Sequence, residues 1–341
     1  MSVTIKDVAA AAGVSPATVS YVLNGTNRVG VDTRDNVLKV IAELGYEPNV
    51  LAQALATQRT DAIGIVIPHT ASYIFSDPYF SELLRGIGDT LAPSGHVILL
   101  STATTEAETE SAYSKMFKGK RADGLLLICS RLDDAYVSEL SKVRFPFVLV
   151  GRPRAGLDVF SVDIDNTAGG YEITRHLIGH GYDRIGMIAG PPAYANSVDR
   201  LQGYRRALKE ASIDYSEGLV AQGDYTHRGG YTAMQALLAN GRAVRAVFAA
   251  SDLMAMGAIM ALRDAGLRAP EDVAVMGFDD ASLAGQTDPP ISTVHQPVYE
   301  LGTHATRMLL SLISGEEPQK RSEILDTSLV LRRSCGCNDG R

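Results

Sequence analysis

Apolar positions along this chain change their period near residue 60. Before it they fall three and four apart, in three sets: Ile5, Val8, Ala9 and Ala12; Val19, Val22 and Leu23; Val37, Val40, Ile41 and Leu44. That spacing puts each set on one face of a helix. From Ala62 the pattern becomes continuous apolar runs separated by helical stretches. Residues 62–67, 96–100, 124–128 and 147–150 read as buried strands, with a helix over about 80–91. The rhythm restarts at 184–188, 244–249 and 273–276. Strands alternating with helices imply right-handed βαβ units and parallel sheets. Two such sets in succession predict an α/β core of two doubly wound lobes behind an all-α N-terminal module.

The N-terminal helices carry their own start and stop signals. Thr4-Ile5-Lys6-Asp7 has capping-box spacing. Ser15 is a good N-cap, and Pro16 sits at the first helical position, where its missing N–H costs nothing. Gly13-Val14-Ser15 joins the two helices, and Ala17, Ser20 and Tyr21 point away from the packed face of the second. Helix, glycine-containing turn and a second helix with a small, polar outer face form a helix-turn-helix pattern suited to a groove. A third helix over 31–44 has Gly30 at its N-cap and Gly45 at its C-cap. Pro48 then opens a segment, 49–56, too short to be a stable helix alone.

Thr4-Ile5-Lys6-Asp7-Val8-Ala9, followed by Gly13-Val14-Ser15 and Thr18-Val19-Ser20, resembles the opening signature of the lactose/galactose repressor family of bacterial transcription regulators. The resemblance covers essentially the whole chain. It implies that 49–56 is a hinge helix that folds when two copies pair in the minor groove. Leu51 would pack against its symmetry mate, and Leu55 would wedge between base pairs and bend the duplex. It further implies that Pro16, Ala17 and Tyr21 face base edges, with Thr18 and Ser20 on phosphate. Thr4, Ser15, Asn24, Asn49 and Ala52 complete the implied DNA-binding set. Tyr21 stands where the family often has Arg or His, so an arginine-to-guanine contact is not available from that position. The implied core is the periplasmic-binding-protein fold, crossing between lobes near Ser161, Ser292 and Asp326. The expected division is a DNA-binding domain over 1–46, a hinge and linker over 47–60, and an effector-binding and dimerisation core over 61–341. Within the core, one lobe takes 61–161 and 293–325, the other 162–292 and 326–341.

In parallel sheets ligands bind beyond the carboxyl ends of the strands. Three such ends are informative: Asp77-Pro78-Tyr79-Phe80, the stretch from Gly190-Pro191-Pro192 through Asn196 to Arg200, and Gly277-Phe278-Asp279-Asp280. The resemblance aligns Tyr79, Phe80, Arg200, Tyr225, Ser251 and Asp279 with an effector cleft. Their chemistry suits a mono- or oligosaccharide. Asp279 can accept two hydroxyls, Arg200 donates a planar fork, and Tyr79 or Tyr225 offers a ring face to C–H groups. A structural Arg200–Asp279 ion pair is the alternative for those two residues. A purine stacked on Tyr225 is the alternative ligand, and a cytoplasmic sugar-binding protein without operator specificity is the alternative class. The helix over 297–315 has Leu301, Ala305, Met308, Leu309 and Leu312 on a core-facing stripe, and is a candidate for the dimer surface.

At 341 residues the chain fits a small module plus two domains. It has no long apolar run and no basic-then-apolar leader, so a cytoplasmic location is expected, with no membrane partner. The net charge of −7 is unevenly placed: residues 1–59 carry five cations against five anions, leaving the core all seven negative charges. A neutral reader must lean on hydroxyls, amides and helix N-termini for phosphate, giving a shallow salt dependence. No phosphate-binding glycine loop, dinucleotide fingerprint or His-Glu-x-x-His is present, so no enzyme activity and no cofactor are expected. Cys129, Cys335 and Cys337 show neither a disulfide framework nor zinc spacing and read as free thiols. His176 and His180 read as solvent-side helix positions, and no metal is expected. The partners expected are a palindromic double-stranded operator, a small-molecule effector and a second copy of the chain, with higher assembly open.

Overall fold

The structure is a computed structural model describing residues 3–23, 28–47, 59–103, 105–128, 135–143, 145–240 and 244–337. It forms two compact units, Met1–Thr60 and Asp61–Arg341. Asn24 and the expected hinge residues Asn49, Leu51, Ala52 and Leu55 lie outside the described residues.

The first unit packs α1 (Ile5–Ala12), α2 (Pro16–Leu23) and α3 (Val31–Leu44) around Val8, Ala9, Ala12, Val19, Val22, Val37 and Val40. Burying each valine contributes on the order of 1.5–3 kcal/mol, enough for a small core. Gly13, in the expected turn, and Gly45, the expected C-cap, both adopt left-handed backbone, at φ 68° and φ 60°. Val14 N–H and Tyr46 N–H then close back on the carbonyls of Ala9 and Ile41.

The second unit contains two parallel sheets. One has the order β11-β5-β4-β3-β1-β2, where β1 is Ala62–Ile67, β2 Val97–Thr102, β3 Gly124–Ile128, β4 Phe147–Val150, β5 Ser161–Ile164 and β11 Ser322–Leu325. Between them run α4 (Ala71–Ser76), α5 (Pro78–Leu91), α6 (Glu106–Phe117) and α7 (Ala135–Lys142). The other sheet has the order β7-β6-β8-β9, with β6 Ile185–Ala189, β7 Val220–Gln222, β8 Ala246–Ala249 and β9 Ala274–Met276. Its helices are α8 (Asn166–Gly179), α9 (Ala195–Glu210), α10 (His227–Ala239) and α11 (Asp252–Asp264). A two-stranded antiparallel ribbon, β10 (Thr293–His295) with β12 (Ser328–Val330), completes the strands, and α12 (Val298–Ile313) lies against α5 and the first sheet.

Two expectations need correction. The helix expected from 80 begins at Pro78, because the Asp77 carboxylate caps it by accepting the Tyr79 N–H at 3.0 Å and Pro78 fits its first turn. The run over 96–100 is not a buried strand: β2 runs over 97–102 at the sheet edge, leaving Val97 57% exposed. Leu301, Ala305, Met308 and Leu309 of α12 are buried, as a core-facing stripe requires.

Three helix pairs meet backbone to backbone at reciprocal glycines. A Cβ on Gly86 of α5 would lie 2.1 Å from the Tyr299 carbonyl oxygen, and one on Gly302 of α12 would lie 2.4 Å from that of Leu83. Gly170 and Gly203 do the same for α8 and α9, and Gly230 and Gly257 for α10 and α11. Near the end of the described residues Ser334 and Cys335 form a buried turn. Ser334 Oγ donates to the Val275 carbonyl at 2.6 Å and accepts the Ser292 N–H at 2.8 Å. Gly336, at φ 88°, then reverses the chain, and Cys337 Sγ sits 3.4 Å from Nε2 of both His176 and His180. These two histidines therefore face the C-terminal segment rather than solvent alone.

Candidate functional site

In the first unit, Ser15 Oγ accepts the Thr18 N–H at 3.1 Å and lies 2.9 Å from Thr18 Oγ1, fixing both hydroxyls at the N-terminus of α2. Pro16, Ala17 and Tyr21 are exposed, Thr18 and Ser20 are half-buried, and Val19 and Val22 face the core. Thr4 is committed differently: its N–H and hydroxyl both donate to Asp7 Oδ2, at 2.8 and 2.7 Å. Those bonds hold the Asp7 carboxyl below its usual range. Sequence reasoning gave the Tyr21 face no cation, yet the Arg28 guanidinium lies 5.7 Å from the Tyr21 ring centre. Arg28 comes from the loop after α2, so helical spacing could not place it there.

In the second unit, a cleft lies where carboxyl ends of strands from both sheets converge. All six expected effector residues, Tyr79, Phe80, Arg200, Tyr225, Ser251 and Asp279, line it. Arg200 is its most constrained member. Its Nε donates to Asn166 Oδ1 at 2.9 Å, its Nη1 to the Ala250 carbonyl at 2.6 Å, and its guanidinium lies 3.6 Å from the Phe278 ring centre. Asp279 Oδ1 is 3.6 Å from Arg200 Nη1 and accepts Gln296 Nε2 at 2.6 Å. Burial pushes the Asp279 carboxyl well above the usual carboxylate range, against the pull of Arg200. The ion pair and the ligand-facing position thus coexist. Ser251 is partly spent on structure, because its Oγ accepts the Met254 N–H at 3.2 Å and caps α11.

The walls are aromatic. On one side His69, Tyr73, Tyr79 and Phe80 form a cluster; on the other stand Tyr194 and Tyr225. His69 stacks on Tyr194 across the cleft, with centroids 5.3 Å apart and planes at 28°. Tyr225 adopts left-handed backbone at φ 66°, and its hydroxyl donates to Asn196 Oδ1 at 3.2 Å. Gly190 is what that ring requires, since a Cβ there would lie 2.3 Å from the Tyr225 Cζ.

His69, Tyr73, Arg152, Asp163, Asn166, Tyr194 and Gln296 also line the cleft and escaped the sequence reading. Most follow strand ends, the one signal that could have marked them. Arg152, just beyond β4, grips Asp199 of α9 with two bonds of 2.7 and 2.9 Å. Asp163 of β5 accepts Asn166 Nδ2 at 3.3 Å, and burial pushes its carboxyl up to about 7.

A helix-turn-helix unit followed by a two-sheet core with a polar, aromatic-walled cleft defines a ligand-responsive DNA-binding protein. Residues 4–49 match the model for bacterial regulatory proteins of the lacI family, and residues 174–335 match the periplasmic binding protein-like domain. The chain is 40% identical to the HTH-type transcriptional regulator CelR of Thermobifida fusca, covering 97% of this chain and 98% of that protein. It is 38% identical to the HTH-type transcriptional repressor PurR of Klebsiella pneumoniae (strain 342), covering 97% and 96%. Among solved structures, a transcriptional regulator CelR-cellobiose complex matches at 40% identity and TM-score 0.76, covering 97% of this chain and 99% of that one. The lac repressor dimer bound to operator and the anti-inducer ONPF matches at 28% identity and TM-score 0.86, covering 98% and 99%. The chain belongs to the lacI family of bacterial regulatory proteins, and it is a transcription regulator. No helix among the described residues is long and apolar enough to cross a membrane.

Proposed function

We propose that this regulator is a repressor whose operator affinity is set by a mono- or oligosaccharide held in the cleft. The observation that carries the reading is one surface combining ring faces for C–H groups with a fixed guanidinium–carboxylate pair for hydroxyls, Arg200 and Asp279. That combination recognises polyols, whose surface alternates apolar C–H faces with hydroxyls of defined direction. Similarity to a regulator whose solved complex contains cellobiose supports the saccharide reading. The purine repressors among the relatives keep a nucleobase as the competing ligand.

In this reading residues 1–46 read the operator, 47–60 connect, and the remainder senses the effector, with no catalytic step. A homodimer presents two copies of α2 to a two-fold operator, as the lac repressor dimer bound to operator suggests. The site of action is the cytoplasm, where the operator is. The effector shifts DNA affinity only by its differential affinity for the two lobe arrangements. The test is a thermal-shift screen of cellobiose, glucose, hypoxanthine and guanine on the full chain and on Asp279→Ala. Cellobiose or a related sugar is expected to raise the Tm of the wild type and not of the variant. A shift by purines alone replaces the ligand class, and a sugar shift that survives in Asp279→Ala moves the site elsewhere.

A further inference from the structure

The C-terminal segment and the end of α8 bring together side chains that neither DNA reading nor the effector cleft uses. His176 lies in the last turn of α8 and His180 caps it, with ring centres 4.5 Å apart. Cys337 Sγ lies 3.4 Å from Nε2 of each, and all three donor atoms fall within 4.8 Å of one another. Cys335 is fully buried, and its thiol donates to the Arg332 carbonyl at 3.5 Å.

One sulfur lies at the same distance from two imidazole nitrogens, and that spacing is the one ligands take around a shared ion. Bond lengths of about 2.3 Å to sulfur and 2.05 Å to nitrogen at tetrahedral angles put S and N about 3.5 Å apart. The buried Ser334 bonds and the left-handed Gly336 present Cys337 to α8, so the backbone of the turn places this ligand.

We propose that His176, His180 and Cys337 bind one divalent ion of the zinc class, which clamps the C-terminal segment to α8. Two imidazoles and one thiolate select a borderline-soft ion over magnesium or calcium, with water at the fourth tetrahedral position. Linear spacing rules miss it because Cys337 and His180 are 157 positions apart. The clamped turn bonds to β9 through the Val275 carbonyl, the strand that leads to Asp279, so the ion supports the same sheet end that faces the effector.

The experiment titrates reduced, chelator-stripped full-length protein with Co²⁺ alone. One equivalent is expected to give the sulfur-to-cobalt charge-transfer band and visible bands of tetrahedral cobalt, both bleached by one equivalent of Zn²⁺. Cys337→Ser and the exposed-site variant His180→Asn are expected to weaken binding by at least about tenfold while retaining a wild-type circular dichroism spectrum. Cys129→Ser is expected to bind normally. A six-coordinate cobalt spectrum, absence of stoichiometric binding, or full retention of cobalt by both Cys337→Ser and His180→Asn overturns the proposal.

Discussion

At Asp163 burial and ligand chemistry pull in opposite directions. The side chain is almost fully enclosed beside Arg200 and Arg152, yet burial outweighs both cations and raises its carboxyl from 3.8 to about 7. The folded protein therefore holds a proton that the unfolded chain has released, over the window between those values. Stability from this group is fully present below about pH 4 and is lost as pH rises through about 7. Asp163→Asn mimics the neutral acid, so it is expected to be more stable than wild type by about 2–4 kcal/mol at pH 8. The advantage is expected to vanish near pH 4. Denaturant melts of the two proteins at both pH values check this; an equal difference at both would assign the effect to packing. Asp163 also shows how far single residues were legible. Tyr79, Arg200 and Asp279 came from the family resemblance; only Asp279 closely follows a patterned strand, while Tyr79 and Arg200 lie in α5 and α9. Asp163 lies within a four-residue strand, and its partners come from α8, α9 and the loop after β4, which no local pattern joins.

Helix pairing is where element-scale reasoning fell short. A glycine inside a helical pattern costs about 1 kcal/mol of propensity and reads as a weak spot. In α8 and α9 the glycines are instead the condition for contact: a Cβ on Gly203 would lie 2.2 Å from the Thr167 carbonyl oxygen and 2.6 Å from the Tyr171 nitrogen. Backbone atoms cannot rotate away as a side chain can. Gly203→Ala is therefore expected to separate the helices and destabilise the protein by about 1–3 kcal/mol despite its better propensity. Its second effect falls on the cleft, because α8 supplies Asn166 and α9 supplies Arg200, bonded at 2.9 Å. Denaturant melts and effector titration on Gly203→Ala check both effects. Unchanged stability would show that the pair can slide. By contrast, the buried apolar runs were legible to within two residues, because burial on both faces imposes a continuous apolar sequence. Buried β5, with Ser161 and Asp163 among its four residues, was not read. The edge strand β2 was misplaced because one side of it is open and that constraint is relaxed.

At the scale of the whole chain, charge is divided against the task. Residues 1–59 are neutral and the remainder carries a net charge of −7, although the partner is a polyanion. Of the five cations in residues 1–59, Lys39 already pairs with Glu43 at 3.8 Å. If about three per reader meet phosphate, a dimer displaces about six counterions, and log affinity falls against log salt with a slope near −5. Phosphate bonds from the N-terminus of α2 and the Ser15–Thr18 hydroxyl pair, expected from the sequence, would release few counterions and so hold affinity as salt rises. The acidic core adds a repulsion that acts mainly at low ionic strength, where the Debye length exceeds about 10 Å. The two effects together predict a shallow line that bends further toward flat below about 50 mM salt. Operator titrations by fluorescence anisotropy from low to physiological salt measure this. A slope steeper than about −8 would require nearly every cation of both readers on phosphate. Substituting Arg28 with Ala separates its contributions. If it only touches phosphate, all sequences weaken alike and the slope drops by about two for the dimer. If its position over Tyr21 serves base recognition, the loss is larger on the operator than on random DNA.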